Sequence, residues 1–313
     1  MADSSFDIVS KVDHQEADQG LSALWIRVRE QFAATNFDDS FYAEFRSPER
    51  PEFAKFASWS PLEPTYRYFL GFLFNLIRDK PDSWFENYLR IGCTDLGNPL
   101  TVTLRGTRVN LEYYTALEEY DFLCGAARLQ TCRTVVEIGM GYGRTAHSLV
   151  RLMPNLERYT VIDLPETWAL GRGYLSRVAP DVLDRIDFLD FREVTGQSRL
   201  RPDLAINVDG FHAMTKATLD AYQVNVLRNS HYVYLKNSVC KYLPSRIGLK
   251  TQVPSDLFEN GYMTEVADIF NDDEMQQYRA LYVERHRPQA VFSVVAEQSS
   301  ESFGFFHHVL YEK

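Results

Sequence analysis

The sequence has few cysteines and fewer basic than acidic residues, which argues against several classes of protein. Only four of its 313 residues are cysteine, and they lack the paired spacing of a zinc site or a CxxC redox motif. We therefore expect reduced, mostly buried thiols. Basic residues are in the minority, 33 against 43 acidic ones, which gives a net charge of -10. Because nucleic-acid binding needs a basic surface, this charge argues against a DNA or RNA partner.

Long hydrophobic runs are also missing. The longest, YFLGFLFNLI at residues 68–77, is shorter than the roughly 20 residues that cross a bilayer, so we interpret it as a buried helix. The start of the chain is polar and acidic, whereas a secretory signal is basic and then apolar. With 45% hydrophobic residues the chain has enough apolar surface for a full core. These features predict a cytoplasmic globular protein that does not associate with membranes.

The pattern of apolar residues changes near residue 130. Before this point they recur at helical spacing in stretches that begin at Gly20, Glu63 and Leu111. From Thr134 onward, short apolar runs alternate with helical ones, which predicts an α/β fold with a parallel sheet. The last two apolar runs are joined only by SSES, which indicates an antiparallel hairpin at the sheet edge. We predict a helical cap over residues 1–125 and a Rossmann-like domain over residues 126–313.

A glycine motif follows the first predicted strand of the sheet. Gly139, Gly141 and Gly143 stand at alternate positions and Glu137 precedes them, which gives E-x-G-x-G-x-G. Because glycine has no side chain, such a turn lets the backbone approach a nucleotide. The same residues also fit the G-x-G-x-x-A fingerprint of dinucleotide enzymes, with Asp163 suitably placed for a ribose. Only two further strands and the closing hairpin follow the third strand, however, so one nucleoside fits better than two.

With this motif, the sequence resembles the class I S-adenosylmethionine-dependent methyltransferases over roughly residues 130–313. More narrowly, it is similar to sugar O-methyltransferases of bacterial polysaccharide and natural-product gene clusters. That similarity rests on the segments DLGNPLTVTLRGTRVNLEYY, VVEIGMGYGR, IDLPE, DLAINVDGFHAM and LDAY. The chain departs from that family at Ala213, where a glutamate is usual, so its chemistry or its acceptor would differ there.

The resemblance implies S-adenosylmethionine as the cofactor, bound at the carboxyl ends of the strands. Asp163 would hold the ribose hydroxyls, although it could also cap the helix that begins near Pro165. Asp190 would contact the adenine, or be a solvated loop acid. Residues just before the first strand often close over the methionine end in this fold, which points to Tyr113. The predicted cofactor contacts are Glu137, Gly139, Gly141, Gly143, Asp163, Leu164, Asp190, Phe191, Asn207 and Tyr113.

The resemblance also implies methyl transfer to a hydroxyl of a sugar or sugar-containing small molecule. A hydroxyl must lose its proton as the new bond forms, so a base is needed beside the in-line methyl group. The loop after the fourth strand carries two candidates, Asp209 and His212. We predict His212 as the base, with a rate that rises through a pKa near or above about 6.5. Asp209 is either a rival base or the carboxylate that orients the histidine, and the histidine could instead be structural.

We predict no required metal. His307 and His308 are adjacent on a strand and would face opposite ways, and we interpret the acidic run at residues 271–274 as a solvated loop. Other acceptors stay open, namely an amine, a carboxylate or a carbon nucleophile of a small metabolite. A binding protein that keeps the fold without catalysis is a further alternative. The sequence leaves the oligomeric state undecided and is compatible with a homodimer.

Overall fold

A computed structural model of the chain describes residues 20–50, 66–126, 129–196, 200–242 and 258–313. Its N-terminal part contains helices and one two-stranded hairpin. In chain order, these elements are α1 (Ala23–Ala33), α2 (Asp39–Glu44), α3 (Tyr66–Ile77), α4 (Asp82–Ile91), β1 (Thr101–Leu104), β2 (Thr107–Asn110) and α5 (Leu111–Ala126).

The remainder of the chain forms a seven-stranded sheet. Its strands are β3 (Thr134–Ile138), β4 (Arg158–Asp163), β5 (Ile186–Asp190), β6 (Leu204–Val208), β7 (Tyr232–Ser238), β8 (Ser293–Ser299) and β9 (Phe306–Glu312). They lie in the order β5-β4-β3-β6-β7-β9-β8. The first five are parallel and β9 is antiparallel to both of its neighbours. The predicted α/β fold, a Rossmann-like parallel sheet with an antiparallel C-terminal hairpin, is therefore confirmed.

The strand order reverses direction between β3 and β6, because β4 and β5 lie on one side and β6 and β7 on the other. In open α/β sheets, ligands bind at such a switch point, outside the carboxyl ends of the strands. Helices cover both faces of the sheet. Those that follow β3 are α6 (Arg144–Leu152), α7 (Pro165–Val178), α8 (Phe191–Gly196), α9 (Lys216–Asn225) and α10 (Asp272–His286).

Alternation along the strands divides the core between the two faces of the sheet. In β3, Val135 packs into one buried cluster, and Val136 and Ile138 pack into the other. The first cluster also contains Phe45 of the N-terminal part and Tyr174 of α7. One hydrophobic cluster therefore runs through both of the predicted regions, and the boundary between residues 125 and 126 remains a proposal from the sequence.

The N-terminal part contacts α7 through the side chain of Tyr42, which is buried. Its hydroxyl donates towards the carbonyl oxygens of Ala169 and Leu170, at 2.9 and 3.0 Å. This contact needs a glycine in the next turn, because a Cβ on Gly173 would lie 2.0 Å from that hydroxyl oxygen. Gly173 is therefore the residue that lets the two helices approach.

We expect Gly173→Ala to lower the free energy of unfolding by roughly 1–3 kcal/mol, since the added methyl group displaces a buried tyrosine. Gly71→Ala is the matched control, because no described heavy atom lies within 4 Å of a Cβ built there. That helical substitution should stabilise the protein slightly or leave it unchanged. Urea unfolding of both variants checks this, and equal stabilities would contradict the role given to Gly173.

The hairpin of β1 and β2 was not predicted, since the N-terminal region was expected to be helical. Its turn residues Arg105 and Gly106 both have positive φ, 50° and 77°, which is the conformation of a tight two-residue hairpin turn. The alternating pattern of TVTLRGTRV carried this signal. Elsewhere, we find no helix among the described residues that is long and apolar enough to span a bilayer.

Candidate functional site

The glycine motif forms the turn between β3 and α6. Gly139, Gly141 and Gly143 all have positive φ, at 78°, 55° and 98°, which explains the choice of glycine at each position. The turn is fixed to the neighbouring strand because the amide of Gly139 donates to the carbonyl of Ile162, at 2.9 Å. A Cβ on Gly141 would meet no described heavy atom within 4 Å. The space above Gly141 is therefore open, as close approach by a ligand requires.

Asp163 ends β4 directly beside this turn. Its Oδ2 accepts from the amide of Met140 at 2.8 Å, and its Oδ1 accepts from the amide of Leu164 at 2.7 Å. Burial raises the pKa of this carboxyl, and the two amide hydrogen bonds oppose the rise. The Asp163 side chain does not cap α7, whose N-cap residue is Leu164 and which has no side-chain cap. The carboxylate thus supports the glycine turn.

Asp190 lies beside Asp163 across the sheet, because the two are paired in the register of β4 and β5. Its Oδ1 accepts from the amide of Arg192 at 2.9 Å, and the Arg192 guanidinium lies against the same carboxylate. Phe191, which begins α8, is buried together with Leu164 in one hydrophobic cluster. These residues lie at the carboxyl ends of β4 and β5. Their role in adenine binding remains a proposal.

Two residues predicted as cofactor contacts have hydrogen-bond partners within the protein. Asn207 is fully buried and donates to the carbonyl of Ile138 at 2.7 Å, while its Oδ1 accepts from the amide of Phe211 and from Asn237 Nδ2. Glu137 is also buried, and its Oε2 accepts from the hydroxyl of Tyr159 at 2.9 Å. Burial raises the pKa of Glu137 to about 8, against the effect of that hydrogen bond. Both side chains form hydrogen bonds to residues of neighbouring strands and so stabilise the sheet beside the site.

A cavity of about 400 Å³, including its opening to solvent, lies at the carboxyl ends of β6 and β7 and reaches Arg144, the residue that follows the glycine turn. Helix α5 covers it. Its lining combines charged groups with an apolar wall, and consists of Leu111, Glu112, Thr115, Glu119, Arg144, Val208, Asp209, Lys236, Phe303 and Phe306.

Ion pairs organise the charged side of the cavity. Arg144 binds both oxygens of Glu119 at 3.0 and 3.2 Å, and Lys236 Nζ lies 3.2 Å from Glu119 and 3.0 Å from Glu118. Burial is the largest single effect on Glu118 and opposes its ionisation, but Lys236 and His308 together outweigh it and lower the pKa of this carboxyl. Arg144 and Lys236 are therefore committed to carboxylates, so the cavity does not offer a bare cation to an anionic ligand.

Asp209 reaches the cavity from the loop after β6. It has positive φ, 55°, and its amide donates to the carbonyl of Lys236 at 2.8 Å. About a third of its side chain, 33%, is open to the cavity. Burial of the rest raises the pKa of Asp209 to about 7, with Lys236 and Arg144 opposing the rise.

His212 is not among the residues that line this cavity. Its Nδ1 lies 3.2 Å from Asp209 Oδ1, but the two atoms are not aligned as a hydrogen bond. Burial, followed by the charge of Lys241, lowers the pKa of His212 to about 3. The prediction that His212 titrates near or above its ordinary pKa is therefore wrong, because the folded environment disfavours the charged ring. Asp209 is the better placed of the two candidate bases.

Tyr113, predicted as a ligand contact, has its hydrogen-bond partners within the protein core. Its ring is fully buried, and its hydroxyl lies 2.6 Å from His147 Nδ1 and 2.5 Å from the hydroxyl of Tyr174. Besides Leu111 at its first position, α5 lines the cavity with Glu112, Thr115 and Glu119. Their spacing of three and seven residues puts them on one helix face, a signal that the sequence already contained.

No group of three or more His, Cys, Asp or Glu side chains is placed to hold a metal ion in the described part of the chain. From the sequence alone, we interpret the acidic run at residues 271–274 as a solvated loop. The structure shows that it forms the start of a helix instead. Asn271 caps α10, and Asp272, Asp273 and Glu274 form the first turn of this helix. Acidic residues are favourable there, because they face the positive end of the helix dipole.

No protein-family model and no curated protein matches the sequence. Solved structures are similar to it in fold. The mitomycin 7-O-methyltransferase is 15% identical over 64% of this chain and 54% of its own, with a TM-score of 0.41. Human N-acetylserotonin methyltransferase in complex with S-adenosylmethionine is 15% identical over 64% and 53%, with a TM-score of 0.39. An O-methyltransferase family protein from Burkholderia thailandensis is 16% identical over 64% and 57%, with a TM-score of 0.40.

In each case the match spans little more than half of the solved structure. Likeness at this level of identity concerns the fold alone. Any assignment of cofactor and chemistry therefore depends on the geometry of the cavity and the glycine turn.

Proposed function

We propose that this protein is an S-adenosylmethionine-dependent methyltransferase that acts on a hydroxyl group of a small molecule. The observation that carries the proposal is the juxtaposition of two sites at one edge of the sheet. The open glycine turn and Asp163 form a nucleoside site. The adjoining cavity exposes the carboxylate of Asp209.

The residues present fit this cofactor. The backbone at Gly141 leaves room for a ligand, and the carboxylate of Asp163 can accept hydrogen bonds from two ribose hydroxyls. Three carboxylates line the cavity, from Glu112, Glu119 and Asp209, which suits a cofactor that carries a positive sulfonium. When bound, S-adenosylmethionine supplies a methyl group that is open to in-line attack.

The chain's own groups then have two tasks. The cavity wall of Leu111, Phe303 and Phe306 would hold the acceptor, and a fixed orientation alone supplies much of the rate enhancement in such a displacement. Asp209 would remove the hydroxyl proton as the new bond forms. A base works best when its pKa is close to the working pH, and the raised pKa of Asp209, about 7, meets this condition. His212, beside Asp209, is assigned a positioning role.

The rate should therefore depend on pH through Asp209. Because only the ionised carboxylate accepts a proton, we expect kcat to be low in acid and to rise through a pKa of about 7. His212→Asn should keep this midpoint, whereas Asp209→Asn should lose the rising limb. Initial rates across the pH range measure this, and an unchanged limb in Asp209→Asn would refute the role of Asp209 as base.

We propose a sugar or a sugar-containing small molecule as the acceptor. Support comes from the sequence resemblance and from the pairing of the apolar Phe303 and Phe306 with polar groups in one cavity, since sugar rings stack on aromatic faces and hydrogen-bond at their edges. The test is incubation with S-adenosylmethionine and panels of glycosides and nucleotide sugars, followed by mass spectrometry for a gain of one methyl group. Methylation of amines alone would favour an amine acceptor. Cofactor binding without any turnover would favour a binding protein.

A further inference from the structure

We infer that Glu112 binds the ammonium group at the amino-acid end of S-adenosylmethionine. This inference rests on the proposed function and assigns a role to a residue of α5 that neither the glycine motif nor the strand ends suggest. It concerns a single oxygen atom, Oε1 of Glu112.

The two oxygens of this carboxylate are used unequally. Nε and Nη2 of Arg46 both lie 2.5 Å from Oε2. Oε1 has no hydrogen-bond partner among the residues that the structure describes, although Glu112 is only 5% exposed. A buried acceptor without a partner is costly, by about 1–3 kcal/mol. Because Glu112 lines the cavity, a ligand in the cavity could supply the missing donor.

Glu112 also lies next to the glycine turn. Arg144, the first residue after Gly143, donates from Nη1 to the backbone carbonyl of Glu112 at 3.2 Å. Glu112 and Arg144 both line the cavity, so we assign the amino-acid end of a ligand bound at Gly141 to this cavity.

The charges around the cavity select a cation. Its lining has three acidic residues and two basic ones, and adding Arg46 and Glu118 from behind the lining gives four against three. When Asp209 is ionised, the excess is one negative charge in either count. A sulfonium carries positive charge but has no N–H or O–H to donate, so it cannot satisfy Oε1. The ammonium group of the cofactor has three donors and can do so.

The experiment compares two ligands that share the nucleoside. S-adenosylhomocysteine carries the amino-acid end, and 5′-methylthioadenosine lacks it. We expect Glu112→Gln to weaken the binding of S-adenosylhomocysteine by about 10- to 100-fold, as for a lost hydrogen bond between charged groups. The affinity for 5′-methylthioadenosine should be almost unchanged. Asp121→Asn is the matched control, since it makes the same kind of change on the same helix outside the cavity lining. Calorimetric titration of the intact chain measures all six affinities.

The possible results separate the inference from the proposed function. If Glu112→Gln keeps the wild-type ratio of the two affinities, the inference is overturned and the proposed function stands. If the wild type binds neither ligand, the cofactor assignment itself fails.

Glu112→Gln removes the ionic partner of the buried Arg46 and could prevent folding, so a second measurement uses the wild type alone. An S-adenosylhomocysteine analogue without the amino group, but with its carboxylate, should bind about 10- to 100-fold more weakly. Equal affinity for the two ligands would overturn the inference.

Discussion

Asp209→Asn should lower turnover by about 10² to 10⁴, the usual contribution of a positioned general base. The substitution keeps the shape of the side chain but removes the charge that accepts the proton of the acceptor hydroxyl. Affinity for S-adenosylhomocysteine should change little, because the proposed nucleoside contacts are the glycine turn and Asp163, not Asp209. Steady-state kinetics with an identified acceptor, together with calorimetry, measures both quantities.

His212→Asn is the informative comparison, because this residue adjoins Asp209 without lining the cavity. We expect a smaller loss of turnover than for Asp209→Asn. A loss as large as that of Asp209→Asn, with normal cofactor binding, would restore the histidine as the base. If neither substitution matters, orientation alone drives the reaction, and an amine acceptor becomes the better interpretation.

Asp163→Ala should weaken binding of S-adenosylmethionine by about 1.5–3 kcal/mol, or roughly 10- to 150-fold, as for hydrogen bonds to a charged group. Two effects contribute. The ribose hydroxyls lose their acceptor, and the amides of Met140 and Leu164 lose the carboxylate that orders the turn. Calorimetric titration measures the change.

Asp187→Ala provides the control, because this exposed residue of β5 pairs with Arg158 on the surface. Its affinity should match the wild type. Thermal unfolding of Asp163→Ala must show that the variant is folded before its affinity is interpreted. If a folded Asp163→Ala protein binds S-adenosylmethionine with wild-type affinity, Asp163 does not hold the ribose. If the wild type prefers a nicotinamide dinucleotide, the proposed cofactor is wrong.

Much of the sheet could be predicted from the sequence because its central strands are buried on both faces. TVVEI and RYTVID coincide with β3 and β4, and the closing hairpin appears as β8 and β9. Continuous apolar runs bounded by turns identify such strands without tertiary information. The glycine turn was also predictable, since positive φ at Gly139, Gly141 and Gly143 is a requirement of the backbone itself.

The directions of individual side chains could not be predicted in the same way. Tyr113 and Glu112 are neighbours on α5, yet the tyrosine enters the core and the carboxylate faces the cavity. Which face of a helix is buried depends on what packs against it, here Arg46, His147 and Tyr174. The pKa values have the same origin, because the burial that lowers the pKa of His212 and raises that of Asp209 is a property of the folded chain.

A crystal structure of the protein with S-adenosylhomocysteine tests the central claim most directly. We expect the ribose hydroxyls on the carboxylate of Asp163, the backbone of Gly141 against the ligand, and the sulfur atom facing the cavity that contains Asp209. Electron density for the ligand at another place, or a nucleoside at the glycine turn whose sulfur points away from Asp209, would contradict the proposed site.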